Sequence, residues 1–156
     1  MSSPEGSTVT FRRISGGVRP RALVTFARKL EREVSKGRPF DCLIAGNAEL
    51  RRLNREFRGK DEPTDVLSFP SGQQPAARGG APRTLGDLAI SLPRARAQAV
   101  DFGHTTEQEV RVLMLHGLLH LMGMDHESDD GRMARAEKRW RTRLGLPNGL
   151  IERVRP

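Results

Sequence analysis

His116, His120 and His126 fall within one run of eleven residues, HGLLHLMGMDH, in a chain that contains four histidines in all. Residues four apart on a helix project from one face, one turn above the other. His116 and His120 can therefore offer two imidazoles to a single ion. Gly123 stands three residues after His120, where a helix ends by taking a left-handed residue, and the chain can then turn back and bring in His126. Three protein ligands leave one position of a tetrahedral ion open to water, the arrangement of a catalytic site and not of a structural one. One Zn2+ per chain suits this donor set, although ligand type alone leaves iron, nickel, copper and cobalt open. A histidine pair at this spacing arises often by chance; a third, placed after a glycine in a histidine-poor chain, points to a metal site.

HExxHxxGxxH peptidases share this spacing, but in them the residue after the first histidine is the glutamate that serves as general base. Here that residue is Gly117. A peptidase without the glutamate lacks the group that deprotonates water and carries the proton to the leaving amine. The metal can still lower the pKa of bound water from ~15.7 to ~7. The chemistry left over suits a substrate whose charge is handled elsewhere, such as a phosphodiester.

The formal charge of +8 directs such a site toward nucleic acid, ribosomes or an anionic surface. Arginine dominates the basic residues, and its planar fork matches phosphate better than lysine does. Cys42 is the single cysteine. That rules out an internal disulfide and fits a reducing cytosol, and its apolar neighbours FDCLIAG make it a small buried hydrophobe. No apolar run approaches the ~20 residues of a membrane span, and the first residues lack the pattern of a secretion signal. A soluble, cytoplasmic protein with no membrane association is expected.

The elements that must position the histidines follow from pattern. At 156 residues the expectation is one domain over 1–156, with a flexible start at 1–6, a mobile Gly/Pro/Arg-rich loop at 71–84 and a basic tail at 146–156. Strands are expected over Ser7–Ile14 at a sheet edge, Phe40–Ala45, Asp65–Pro70 and Leu85–Leu92. Helices are expected over Pro20–Ser35, from an Asn47 cap to Phe57, from Pro93 to Val100, from a Thr105 or Thr106 cap through the histidines, and over Asp129–Leu144 before Gly145. About four strands in a small mixed sheet with about five helices make an α+β fold around a zincin-like HxxxH helix.

Three segments resemble one family: FRGKDEPTDVLSFP, LGDLAIS and HGLLHLMGMDH, in that order, look like the YbeY family of bacterial endoribonucleases that mature ribosomal RNA. The likeness runs over roughly Leu43 to Trp140. It implies zinc at His116, His120 and His126, and a functional arginine at Arg58, which would bind the non-bridging oxygens of a phosphate. Without the resemblance, Arg58 reads as a surface cation near a helix C-terminus. The resemblance further implies single-stranded RNA as substrate, above all the 3′ end of 16S ribosomal RNA, ribosome quality control as the role, and the ribosome or its proteins as partners. The arginine-rich insertion at Arg78–Arg83 departs from the expected distance between two strands.

Other residues carry two readings each. Asp65, Ser68 and Asp87 can orient a histidine or simply hydrogen-bond the fold, and Asp125 can support the site or cap a turn. Glu127 and Asp129 add acid nearby, but DHESDDG lacks the glycine position of a calcium loop. His104, in a glycine-containing turn, is expected on the surface. Arg132, Arg135, Arg141 and Arg143 read as a solvated face that can help hold RNA. Two rival functions remain at this level: a ribosome-binding factor in which zinc only stabilises the fold, and a metallopeptidase-like hydrolase lacking the usual glutamate.

Overall fold

Alternation along two central strands decides which face of the sheet meets which helix. In β2 (Asp41–Ala45) Cys42 and Ile44 enter the main core, while Leu43 and Ala45 belong to a smaller one. In β4 (Gly86–Ser91) Leu88 and Ile90 follow the first pair and Ala89 the second. A strand with both faces covered reads as a continuous apolar run, as both of these do. The computed structural model describes residues 6–12, 16–71 and 84–154. The expectations for 1–5 and for most of the Gly/Pro/Arg-rich loop, including Arg78–Arg83, lie outside them.

The sheet has the order β1–β2–β4–β3, with β1 (Thr8–Phe11) on one edge and β3 (Val66–Pro70) on the other. β1, β2 and β4 run parallel and β3 pairs antiparallel to β4. Between them come α1 (Pro20–Glu33), α2 (Asn47–Arg58), α3 (Leu92–Phe102), α4 (Thr106–Leu121), α5 (Arg132–Leu144) and α6 (Leu150–Val154). The expected α+β architecture of four strands is present among the described residues, with six helices instead of about five.

Buried residues of α1, α4 and α5 join the strand side chains in the main core, which includes Leu23, Leu30, Phe40, Leu113 and Trp140. The smaller core, Ala45, Leu50, Leu67 and Ala89, lies under α2. Cys42 is buried as expected, and burial with the neighbouring Asp41 pushes its thiol up to about 12. It is therefore protonated and inert near neutral pH.

Local chemistry moves several element ends. Gly46 and not Asn47 is the residue before α2; the Asn47 Oδ1 instead accepts from Ser91 Oγ at 2.6 Å, tying α2 to the start of α3. The last long helix begins at Arg132, because both Asp129 carboxylate oxygens accept backbone N–H bonds from Gly131 and Met133 ahead of it. The basic tail holds α6, whose Ile151 is buried and whose Arg141–Glu152 ion pair closes it onto α5. Its five residues are too short to be stable alone, so tertiary contacts make this helix.

α1 is pinned to α4 by Glu107, whose carboxylate accepts from the Arg19 backbone N at 2.9 Å and from Arg19 Nε and Nη2. These bonds and the Arg19 charge hold the Glu107 carboxyl down at about 2, against an ordinary 4.5. A depressed carboxyl stabilises the fold above its unfolded value and stops doing so as pH falls through the folded one. Glu107→Gln is expected to lower stability at neutral pH by at most ~1 kcal/mol, because Arg19 is largely exposed. The gap between wild type and variant in thermal melts should close between about pH 4.5 and about pH 2. A gap that is constant across that range would sink the assignment.

Candidate metal centre

α4 starts with a full capping box: Thr105 Oγ1 accepts from Gln108 N, and the Gln108 side chain accepts from Thr105 N. It is buried nearly all round, lying on β3 and β4 on one side. Gly117 permits that approach, since a Cβ there would stand 2.7 Å from Leu88 Cδ2 and 3.3 Å from Val66 Cγ2. Ser68 on β3 donates its hydroxyl to the Gly117 carbonyl at 3.2 Å. Ser68 thus braces the helix at the residue next to His116.

The helix ends where its pattern predicts. Gly123 takes φ +94°, and Met124 N reaches back to Leu119 O at 3.1 Å. The same turn brings the Met124 carbonyl to 2.9 Å from His120 Nδ1. Asp125 fastens the next turn by accepting from Glu127 N and Ser128 Oγ. The bond from the Glu127 backbone leads in holding its carboxyl below the usual range. His126 then stands opposite the helical pair, with its ring centroid 5.6 Å from each of the others, which are 4.8 Å apart.

Hydrogen bonding fixes which nitrogen each helical histidine turns to an ion. A carbonyl only accepts, so His120 Nδ1 must carry the proton it gives to Met124 O. His116 Nδ1 donates to Glu137 Oε2 at 2.5 Å. Glu137 is 1% exposed, and its other oxygen accepts from Ile151 N at 3.0 Å. Both histidines are left with an Nε2 lone pair as ligand. Burial, and next to it the neighbouring His116, lowers the His120 pKa and favours the neutral form that a metal needs.

One nitrogen from each of the three histidines lies within 4.8 Å of the others. His126 Nδ1 is shut from solvent with no hydrogen-bond partner among the described residues. The donor set fits a borderline-soft divalent ion. A carboxylate behind one ligand and a carbonyl behind another are the supports that orient metal-binding histidines.

Glu137 is the residue that the sequence reading missed. Its signal was available: it occupies the apolar stripe of α5 with Met133, Ala136 and Trp140, where a lone carboxylate needs a buried partner. A glycine supports it too. At Gly149 a Cβ would collide with the Glu137 carboxylate, so the chain leading into α6 can approach only without a side chain.

The remaining sequence candidates scatter. Asp65 lines, with His116 and His126, a cleft of about 630 Å³, and its Oδ1 accepts from Val66 N. Asp87 lines a separate depression with Asp41, Leu43, Leu53 and Phe69. Its carboxyl is raised by burial and by Asp41. Arg58 is the exposed last residue of α2, without hydrogen-bond or ion-pair partner among the described residues. His104 is not on the surface as expected. Gly103 turns left-handed (φ +72°) and returns the ring to α4, where its side chain is 9% exposed and Nε2 donates to Glu109 at 2.6 Å.

Three imidazoles gather at the end of a buried helix and the turn after it, two of them lining the cleft, in an arrangement that could hold a metal ion in an enzyme site. The model of the endoribonuclease YbeY family matches residues 20–145, and the chain belongs to that family. It is 66% identical to the endoribonuclease YbeY of Solibacter usitatus over 99% of both chains. It is 41% identical to that of Koribacter versatilis, over 88% of this chain and 86% of the relative. Among solved structures it is similar to the solution structure of TM1509 from Thermotoga maritima, with a TM-score of 0.56 and 28% identity, covering 86% and 85% of the two chains. No helix among the described residues is long and apolar enough to cross a membrane.

Proposed function

We propose that this chain is a zinc-dependent, single-strand-specific endoribonuclease that hydrolyses RNA phosphodiesters in the cytoplasm. Its role is maturation of the 16S ribosomal RNA 3′ end and ribosome quality control, with the ribosome or its proteins as partners. One observation carries the reading: in a chain 66% identical to an endoribonuclease, three histidines converge beside an open cleft.

His116, His120 and His126 hold one zinc ion per chain, and Glu137 and the Met124 carbonyl keep two of the rings aimed. Zinc, when bound, supplies a water activated near neutral pH and a Lewis acid for the phosphoryl oxygen. Arg58, with no carboxylate partner among the described residues, binds the non-bridging oxygens and stabilises the charge that grows there. The surplus of positive charge holds the RNA backbone, so affinity falls as salt rises.

The test is zinc content together with cleavage of a labelled single-stranded fragment of ribosomal RNA, for wild type and His120→Ala. About one zinc per chain and loss of cleavage in a variant that still melts cooperatively is the expected result. Bound zinc with no cleavage by the wild type overturns the reading. Unfolding of His120→Ala favours the rival in which zinc only stabilises a ribosome-binding factor. Arg58→Ala is expected to keep zinc and melting temperature while kcat drops about 10²–10³-fold, the usual effect of removing one transition-state donor. Full activity in that variant would remove Arg58 from the mechanism.

A further inference from the structure

The cleft that exposes His116 and His126 has walls unlike the rest of this basic molecule. Phe102, Leu150 and Ile151 make its apolar part, and Phe102 is 51% exposed. Exposed aromatics beside a nucleic-acid site act as stacking platforms, because every base has a π face. A volume of about 630 Å³ is within the range of small-ligand sites.

Away from the two histidines, its polar members do not make a phosphate site. Arg153 is the one arginine or lysine among them; its charge is turned inward, and its Nε is buried with no hydrogen-bond partner among the described residues. Both terminal nitrogens donate to Glu109, at 2.8 and 2.6 Å, and its guanidinium carbon lies 4.2 Å from the Phe102 ring centroid. Glu109 is 0% exposed and takes further bonds from His104 and Gln98, so its charge and that of Arg153 cancel inside the protein. What remains at the cleft wall is a set of acceptors. Gln98 spends its amide N–H on Glu109 at 2.7 Å and keeps its carbonyl oxygen. Asp65 keeps Oδ2, since Oδ1 takes the Val66 N–H, and Glu127 offers a whole carboxylate. A phosphate set against this part of the wall would be repelled; a flat, uncharged ring bearing N–H donors is what it can hold.

We infer that this cleft is a nucleobase subsite, which receives the base beside the cut phosphodiester on Phe102 and selects bases carrying an amino group over uracil. The inference rests on the endoribonuclease reading and deepens it by naming what the site discriminates. Adenine, cytosine and guanine present an exocyclic amine to an acceptor, whereas uracil presents carbonyl oxygens at both flanks of its single N–H. Oxygen facing oxygen leaves both unpaired, and unpaired polar groups in a site account for most discrimination of this kind. Phe102 and Gln98 are binding residues here; the chemistry stays with the histidines.

The experiment compares oligo(A), oligo(C) and oligo(U) with the zinc-loaded full chain, reading initial cleavage rates and, on the same oligonucleotides, binding by fluorescence anisotropy. Wild type is expected to favour oligo(A) and oligo(C) over oligo(U) about tenfold in kcat/KM, the worth of one good base-edge contact. Gln98→Leu should pull that ratio toward one. Phe102→Ala should raise KM for all three oligonucleotides about tenfold with kcat little changed. Phe102→Trp should restore KM, and Phe102→Leu, which still covers Arg153, should not. Equal kcat/KM for the three oligonucleotides, or an unchanged KM in both Phe102→Ala and Phe102→Leu, overturns the inference. Binding that still prefers amino-bearing bases without any cleavage would keep the subsite and remove the endoribonuclease reading. No binding of any oligonucleotide removes both.

Discussion

Glu137→Ala is expected to cost about 3 kcal/mol of stability, because it strips the acceptor from two buried donors at once, His116 Nδ1 and Ile151 N. For a chain of this size that is roughly 6–12 °C in melting temperature. The loss should concentrate at the end of the chain, since the Ile151 bond is what seats α6 against α5. Glu137→Gln is the sharper variant. It fills the same space but sets an amide N–H against one of the two donors and leaves His116 at best an uncharged oxygen, so the support behind the ring weakens while the core keeps its volume. Metal affinity is expected to fall about 10–100-fold, the common effect of removing the carboxylate behind a ligating histidine. Titration with a competing chelator measures this without any RNA. Wild-type affinity in Glu137→Gln would show that the carboxylate only ties α6 down.

Gly117→Glu is expected to prevent stable folding and not to create a peptidase. On paper the substitution restores the general base of HExxH enzymes. In the fold, position 117 points at Leu88 and Val66, so the new side chain would force helix and sheet apart and bury a carboxylate with no partner. An uncompensated buried charge alone costs about 3–5 kcal/mol, a large part of the total stability of a domain. Far-ultraviolet circular dichroism and a melting curve read the outcome. A variant that melts like wild type and cleaves casein would overturn both the packing and the exclusion of peptidase chemistry. Gly117→Ala isolates the packing part. Helix propensity favours it by up to ~1 kcal/mol, overpacking opposes it by about 1–3 kcal/mol, and a small net loss is expected.

Short-range rules carried the reading of the site. A spacing of four on a helix, a capping threonine before it and a glycine after it are local facts, and they put His116, His120 and His126 together without knowledge of any other element. Alternation and apolar runs likewise located the four strands, since both are imposed by the pleat. Long-range pairing was not legible in the same way. Ser91 claims the side chain of Asn47, so a residue that looks like a helix cap serves as a link between helices. Glu109 recruits His104, Gln98 and Arg153 from three places in the chain, so a histidine expected in solvent is held inside.

That this protein can gather three imidazoles is a local property, because the ligands share one helix and one turn and their geometry follows from 3.6 residues per turn. What stands behind and beside them is set by contacts between distant segments. Glu137 reaches His116 from a separate helix, Gly149 clears its path, and α6 completes the cleft from a segment that reads as a polar tail. Those contacts join residues tens of positions apart, and no periodicity within any one element encodes which distant partner a buried carboxylate or an exposed phenylalanine will meet.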